Sequence, residues 1–215
     1  MDYNARLDEL KEKMNEGKFR EAADGLEDLA NETGNINVVI CSMIANYLDG
    51  TVLYELDDNE GAVDRMNIII DWVIACSKND ELWKKEQSFM EKEYAKAQLL
   101  KGKALYCINK HSEYCLNPLS EAIKYGAAEA NYWYGIWHVV NSPDTEDDYS
   151  GFVDAVSPGI PYLEAYLDSL TEEEIDEKSE RINRTSEFLV SWYYSQTPKD
   201  MRKIEKYQAI QNVVK

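Results

Sequence analysis

Apolar residues recur three and four positions apart along almost the whole chain, and no segment keeps the alternation of period two that a half-buried strand requires. Leu7, Leu10 and Met14 make one such stripe. Gly17 interrupts it, and Phe19, Ala22, Ala23, Leu26, Leu29 and Ala30 make the next. The run from Asn31 to Asn35 then supplies the polar and glycine chemistry that stops a helix. Two amphipathic helices joined by a short turn form an antiparallel hairpin. The pattern continues pair by pair, with approximate boundaries at 3–34, 36–78, 80–125, 127–170 and 172–214, as a single domain over 1–215. An all-α fold follows. Only 10 Gly and 5 Pro occur in 215 residues, which disfavours a fold made of strands and tight turns.

Within that frame a few segments stand out. Ile36 to about Leu56 is apolar on two sides, so it is expected to lie buried between neighbours. A long helix from Glu81 to about Asn109 is charged in its first half and apolar in its second. A helix is read over Glu173–Ser195, with Glu172 to Glu177 as the favourable acidic first turn after Thr171. The one long connection, 141–159, holds an acidic run with Pro143 and Pro158, and a short helix over Tyr149–Val156 would shorten it. The apolar runs around Ile68–Ile70 and Trp72–Cys76 fall short of the roughly 20 residues that a membrane-spanning helix needs. No signal peptide is visible at the start, and the expected compartment is the cytoplasm. Cys41, Cys76, Cys107 and Cys115 lie apart with no CxxC pair, as core thiols in a reducing compartment would.

The segment Ala122–His138 reads AIKYGAAEANYWYGIWH. Ala122, Gly126, Ala130 and Gly135 keep a spacing that resembles tetratricopeptide-like repeats of the Sel-one-like kind. Tyr134 stands at that family's usual Leu position, and His138 at its usual aromatic. Ala97 and Gly102 repeat the spacing of Ala130 and Gly135, 33 positions earlier, close to the tetratricopeptide period. Gly17, Phe19 and Ala22 resemble the family's turn glycine, aromatic and small packing residue. The resemblance implies a right-handed stack of antiparallel helix pairs, an α-solenoid, whose concave groove binds protein. Groove positions counted from the turn glycine are Lys96, Leu99, Lys103 and Tyr106 in one repeat. In the next they are Glu129, Tyr132, Ile136 and Val139, and in the first unit Asn4, Leu7, Lys11 and Met14. The usual Pro between repeats is mostly missing. Lys96 and Lys103 suit a clamp for a peptide carboxylate, but the Asn and Arg partners of such a clamp are absent.

Catalytic and metal motifs do not emerge. Asp144-x-Glu146-x-Asp148 opens like a calcium loop, yet Tyr149 stands where the sharp turn needs Gly and Ala155 where a bidentate Glu is needed. His111 and His138 are the only histidines, and neither lies three residues after a Glu as a di-iron bundle requires. No GxSxG, glycine-rich phosphate loop or HExxH is present. No enzyme activity, cofactor or metal is expected.

Charge and aromatic patterning therefore carry the functional reading. The formal net charge is −18, which opposes nucleic acid and anionic lipid and favours cations or basic protein faces. No Lys or Arg falls between Arg20 and Arg65, where eleven acids do, or between Lys124 and Lys178, where thirteen do. Asp147 and Asp148 belong to the second stretch. Tyr132, Trp133, Tyr134 and Trp137 share one helix, and Trp192, Tyr193 and Tyr194 another. Successive positions diverge by about 100° on a helix, so one ring of each cluster is expected on a groove or surface. The function expected is a non-catalytic protein-interaction module for a basic or helical partner, an inhibitor or immunity-type protein being one form. Its contact residues would be Lys96, Leu99, Lys103, Tyr106, Glu129, Tyr132, Trp133, Ile136, Trp137, Asp147 and Asp148. The alternatives are a self-associating structural subunit, or a small-molecule sensor with an aromatic pocket around Trp133 and Trp137.

Overall fold

Helices begin and end where side chains or glycines satisfy the backbone groups that a helix terminus leaves open. In the computed structural model of the protein, residues 3–143, 149–171, 174–175, 179–196 and 198–214 are described. The helices are α1 (Tyr3–Asn15), α2 (Phe19–Thr33), α3 (Ile36–Glu55), α4 (Asn59–Ser77), α5 (Asp80–Ile108) and α6 (Leu116–Lys124). They continue as α7 (Glu129–Val140), α8 (Tyr149–Val156), α9 (Ile160–Asp168), α10 (Ser179–Ser195) and α11 (Met201–Val213). Short 3-10 turns occupy Glu113–Cys115 and Ser157–Gly159, and no strand occurs among the described residues. Asn35, Asp58, Asn79 and Asp200 cap their helices by accepting the N–H of Asn37, Gly61, Leu82 and Lys203. Gly126 takes φ +88° after α6, and the next amide, of Ala127, reaches back to the Ala122 carbonyl at 2.9 Å. That geometry suits glycine because a Cβ opposes the left-handed region.

The chain divides into two compact units, Met1–Ala127 and Ala128–Lys215. In the first, each helix packs on the next in the chain, and α3 also touches α1 and α5. Its core includes Leu26, Val38, Met43, Met66, Ile69 and Met90. Helix α3 is long and apolar enough by length and composition to cross a membrane, a length the apolar runs singled out in the sequence did not reach. It nonetheless carries a buried polar set. Asp49 is 4% exposed and Asn46 and Ser42 fully buried. Arg65 of α4 donates from Nε to Asp49 at 2.7 Å, from Nη1 to Asn46 at 3.3 Å, and pairs with Asp24 of α2 at 2.7 Å. Burial opposes the Arg65 charge, but Asp24 and Asp49 outweigh it and raise its pKa. Three helices are thus held in register by one guanidinium.

In the second unit α7 packs on α9, α8 and the 157–159 turn, while α10 packs on α9 and α11. Its core joins Val156, Leu163, Tyr166, Ile182, Leu189, Ile204 and Tyr207. Helix α10 begins at Ser179. Ahead of it, the Thr171 amide and hydroxyl both reach the Glu174 carboxylate, at 3.1 and 3.0 Å. The remaining acids of Glu172–Glu177 lie outside the described residues, as do Asp144, Glu146, Asp147 and Asp148.

Glycines set the closest helix contacts in both units. A methyl at Gly102 would lie 2.6 Å from the Leu119 side chain, so α5 meets α6 there. A methyl at Gly135 would lie 2.6 Å from Leu163 and 3.0 Å from the Gly159 carbonyl. Gly102 and Gly135 thus do the same work in two helix pairs. All four cysteines are free: Cys76 and Cys115 are buried and Cys41 is half-buried. Burial pushes the Cys115 thiol up to about 11. Cys107 departs from the core placement expected of it. It lies exposed near the end of α5, 3.7 Å from the Tyr54 hydroxyl.

Two stability outcomes follow. Asp49→Ala removes one of the two carboxylates on Arg65, leaving Asp24 in place, and is expected to cost roughly 1–3 kcal/mol, read from urea unfolding. Gly135→Ala is expected to cost roughly 1–3 kcal/mol by overpacking against Leu163 and the Gly159 backbone, read the same way.

Candidate functional site

Helix α7 divides its aromatic side chains between two faces. Tyr134 and Gly135 face the start of α9, where the Tyr134 and Tyr162 rings lie 4.3 Å apart, and His138 faces the end of α8, its Nδ1 3.2 Å from the Ala155 carbonyl. Burial lowers the His138 pKa, so the neutral ring, protonated on Nδ1, donates to that carbonyl. Tyr132, Ile136 and Val139 lie on another stripe and line a cleft of about 250 Å³. Leu163 of α9 contributes to the lining, and Arg184, Thr185 and Phe188 of α10 complete it.

One end of the cleft is tied by charge and aromatic stacking. Arg181 of α10 donates to Glu129 Oε1 at 3.0 Å, and the Trp133 indole donates to the same oxygen at 3.1 Å. The Arg181 guanidinium lies 4.7 Å from the Tyr132 ring centroid and 5.4 Å from that of Trp133. Such cation–π contacts add about 0.5–2 kcal/mol each according to exposure. Tyr132 also meets Tyr166 of α9 at 5.3 Å. Burial raises the Tyr132 phenol pKa, against the opposing pull of Arg181 and Arg184. The cleft rim is therefore preorganised. Arg184 is exposed and pairs with Glu180 at 2.6 Å, a surface contact worth little by itself.

The expected contact residues distribute as follows. Glu129, Tyr132, Trp133 and Ile136 come together at or beside this cleft. Trp137 is half-buried, edge-on to His138 at 5.2 Å, and among the α7 rings Tyr132 lines the cleft. Lys96, Leu99, Lys103 and Tyr106 lie on α5 of the first unit, all half-buried. Lys96 pairs with Glu93 at 2.7 Å and lies 5.5 Å from the Tyr47 ring centroid. Lys103 lies 5.2 Å from that of Tyr54. Both lysines are engaged by α3, which leaves them poorly placed for a carboxylate clamp. Asp147 and Asp148 fall outside the described residues. Of the second aromatic cluster, Trp192 and Tyr193 are buried and Tyr194 is 42% exposed.

Leu163, Arg184, Thr185 and Phe188 were not singled out in the sequence. The Ala and Gly spacing shared by α5 and α7 is absent from α10. Sequence reading also missed a polar node at α9, α10 and α11. Glu164 Oε1 accepts from the Tyr193 and Tyr207 hydroxyls at 2.7 and 2.9 Å. Lys203 Nζ lies 2.7 and 3.0 Å from the two Glu164 oxygens and donates to the Tyr193 hydroxyl at 2.9 Å. Burial would raise the Glu164 carboxyl, but the hydrogen bonds from Lys203, Tyr193 and Tyr207 outweigh it and hold it below its ordinary value. Against burial, the same contacts raise Lys203; burial and Glu164 together raise Tyr207. Among the described residues, no three His, Cys, Asp or Glu side chains converge as a metal site would require.

Comparison of the sequence with protein-family models and with curated proteins, and of the fold with solved structures, gives no match. The functional reading rests on the geometry of this chain.

A folded-state carboxyl held below its unfolded value stabilises above the unfolded pKa and loses that contribution as pH falls through the folded pKa. For Glu164 the loss is expected below the ordinary carboxylate value of 4.5. Urea midpoints measured from neutral to acid pH should fall less steeply for Glu164→Gln than for the parent chain. Parallel curves would remove Glu164 as the source.

Proposed function

We propose that this chain is a non-catalytic protein-interaction module of tetratricopeptide-like architecture, taking up a basic protein partner through the cleft between α7 and α10. The observation that carries the proposal is the cleft itself, with Tyr132, Ile136, Val139 and Phe188 accessible within it and its rim tied by Arg181 and Glu129. Its volume, about 250 Å³, lies below the usual 300–1,000 Å³ of sites that enclose a whole drug-sized ligand. It suits one or two anchor side chains of a larger ligand. Apolar and aromatic lining with few polar groups favours recognition over acid–base chemistry.

Charge supports the choice of partner. The net charge of −18 divides evenly between the two units, and the cation-free stretches 21–64 and 125–177 concentrate the acids. Complementary charge accelerates encounter and weakens with salt. The arginines at the cleft do not contradict this, since Arg181 is paired to Glu129 and Arg184 to Glu180. The partner then contributes an apolar anchor to the cleft and basic residues to the surrounding surface. An inhibitor that masks a cationic enzyme falls within this class. The spacing shared by Ala97–Gly102 and Ala130–Gly135 supports the repeat reading.

A photo-crosslinking residue in place of Ile136 is expected to capture one protein in the native cell, while the same residue in place of exposed Glu205 does not. Recovery should fall at least tenfold with Phe188→Ala, and should decline as salt rises. Equal capture from both positions, or recovery indifferent to Phe188, would overturn the proposal.

A further inference from the structure

A second recess lies in the first unit, remote in chemistry from the cleft just described. Val73 and Ile74 of α4 form its apolar wall, and Trp83, Glu91 and Tyr94 of α5 together with Tyr125 after α6 complete it. Its volume is about 150 Å³. The Tyr94 and Tyr125 rings meet edge-on, with centroids 5.1 Å apart and planes at 76°. Two rings at nearly a right angle and an indole thus contribute to the lining of a small volume. The Glu91 carboxylate adds a negative charge. Its Oε1 accepts from the Gln87 amide at 2.8 Å, a neutral donor that orients the group without cancelling its charge.

We propose that this recess binds an alkylated ammonium group. A quaternary or methylated ammonium spreads its charge over methyl groups and has little or no N–H to satisfy. It is therefore held by the negative faces of aromatic rings and by a nearby carboxylate. The α4 wall of Val73 and Ile74 favours the methyl surface. A neighbouring contact shows that Tyr125 already accepts a cation: Lys124 Nζ lies 5.2 Å from its ring centroid. Lys124 is in turn drawn toward Glu121 at 3.7 Å, which offsets its repulsion of an incoming ligand. Glu121 also accepts weakly from the Tyr94 hydroxyl at 3.4 Å, fixing the orientation of that ring. The acidic surface raises the local concentration of any cation. The site lies wholly within the first unit.

The test is calorimetric titration of the full chain with choline and with its neutral isostere 3,3-dimethyl-1-butanol. Choline is expected to bind about tenfold more tightly than the isostere, with shifts of the Trp83 indole N–H resonance. Glu91→Gln should weaken choline about tenfold and leave the isostere unchanged. Trp83→Ala should abolish binding of choline, and Tyr125→Leu, at an exposed ring, serves the same purpose if Trp83→Ala fails to fold. Equal affinity for the two compounds identifies an apolar hollow and overturns the proposal. So does resonance movement confined to Trp133, Trp137 or Trp192. N-acetyl-trimethyllysine amide in a parallel titration separates the two sources of the group: tighter binding than choline assigns a modified protein side chain, weaker binding a free small molecule. No binding of either cation sinks the idea.

Discussion

Close approach of helix backbones at small residues is the constraint on which both units depend. With no strand among the described residues, each helix must bury its apolar stripe on a chain neighbour. How near the neighbour comes is decided at Gly102 against Leu119 and at Gly135 against Leu163 and Gly159. Those contacts admit a leucine into the space that a Cβ would occupy. The rest of the α7 surface is then committed. Tyr134 is drawn to the start of α9 and His138 to the end of α8, and Tyr132, Ile136 and Val139 are left to line the cleft.

Two polar nodes supplement that packing. The Arg65 guanidinium links α2, α3 and α4 through Asp24, Asp49 and Asn46. The Glu164 carboxylate links α9, α10 and α11 through Tyr193, Tyr207 and Lys203. Buried charge is costly to desolvate, and such nodes often contribute less to stability than apolar replacements of equal volume would. What they add is register: a helix shifted by one residue would leave Arg65 or Glu164 without partners. In α3, the Asp49 node also gives a physical reason why a helix of spanning length and composition sits in a protein core.

Aromatic residues serve both purposes in this chain. Tyr166 and Tyr207 are nearly fully buried and act as core. Tyr132, Trp83 and Tyr125 instead contribute to recesses, where amphipathic rings offer area at low entropic cost. The cleft and the α4–α6 recess differ in the charge beside them. At the first, glutamate and arginine are already joined; at the second, Glu91 is held by an amide. That contrast separates a surface suited to an apolar anchor from one suited to a cation.

The sequence by itself determined the helical class, most helix boundaries and the small-residue contacts, because period and spacing act over a few residues. Leu7 and Leu26 fall on stripes visible without any structure, and Gly102 and Gly135 stand out by their shared spacing. The sequence also singled out Glu129, Tyr132, Trp133 and Ile136, which come together at or beside the cleft. Only the tertiary structure supplied the opposite wall, Arg184 and Phe188, because α10 is far from α7 in the chain and carries no spacing shared with it. It also decided that Lys96 and Lys103 turn to Tyr47 and Tyr54, that Cys107 faces outward, and that Trp83, Glu91 and Tyr125 share one recess. Those outcomes depend on which helices lie side by side. Contacts between residues tens of positions apart leave no local pattern for a sequence to display.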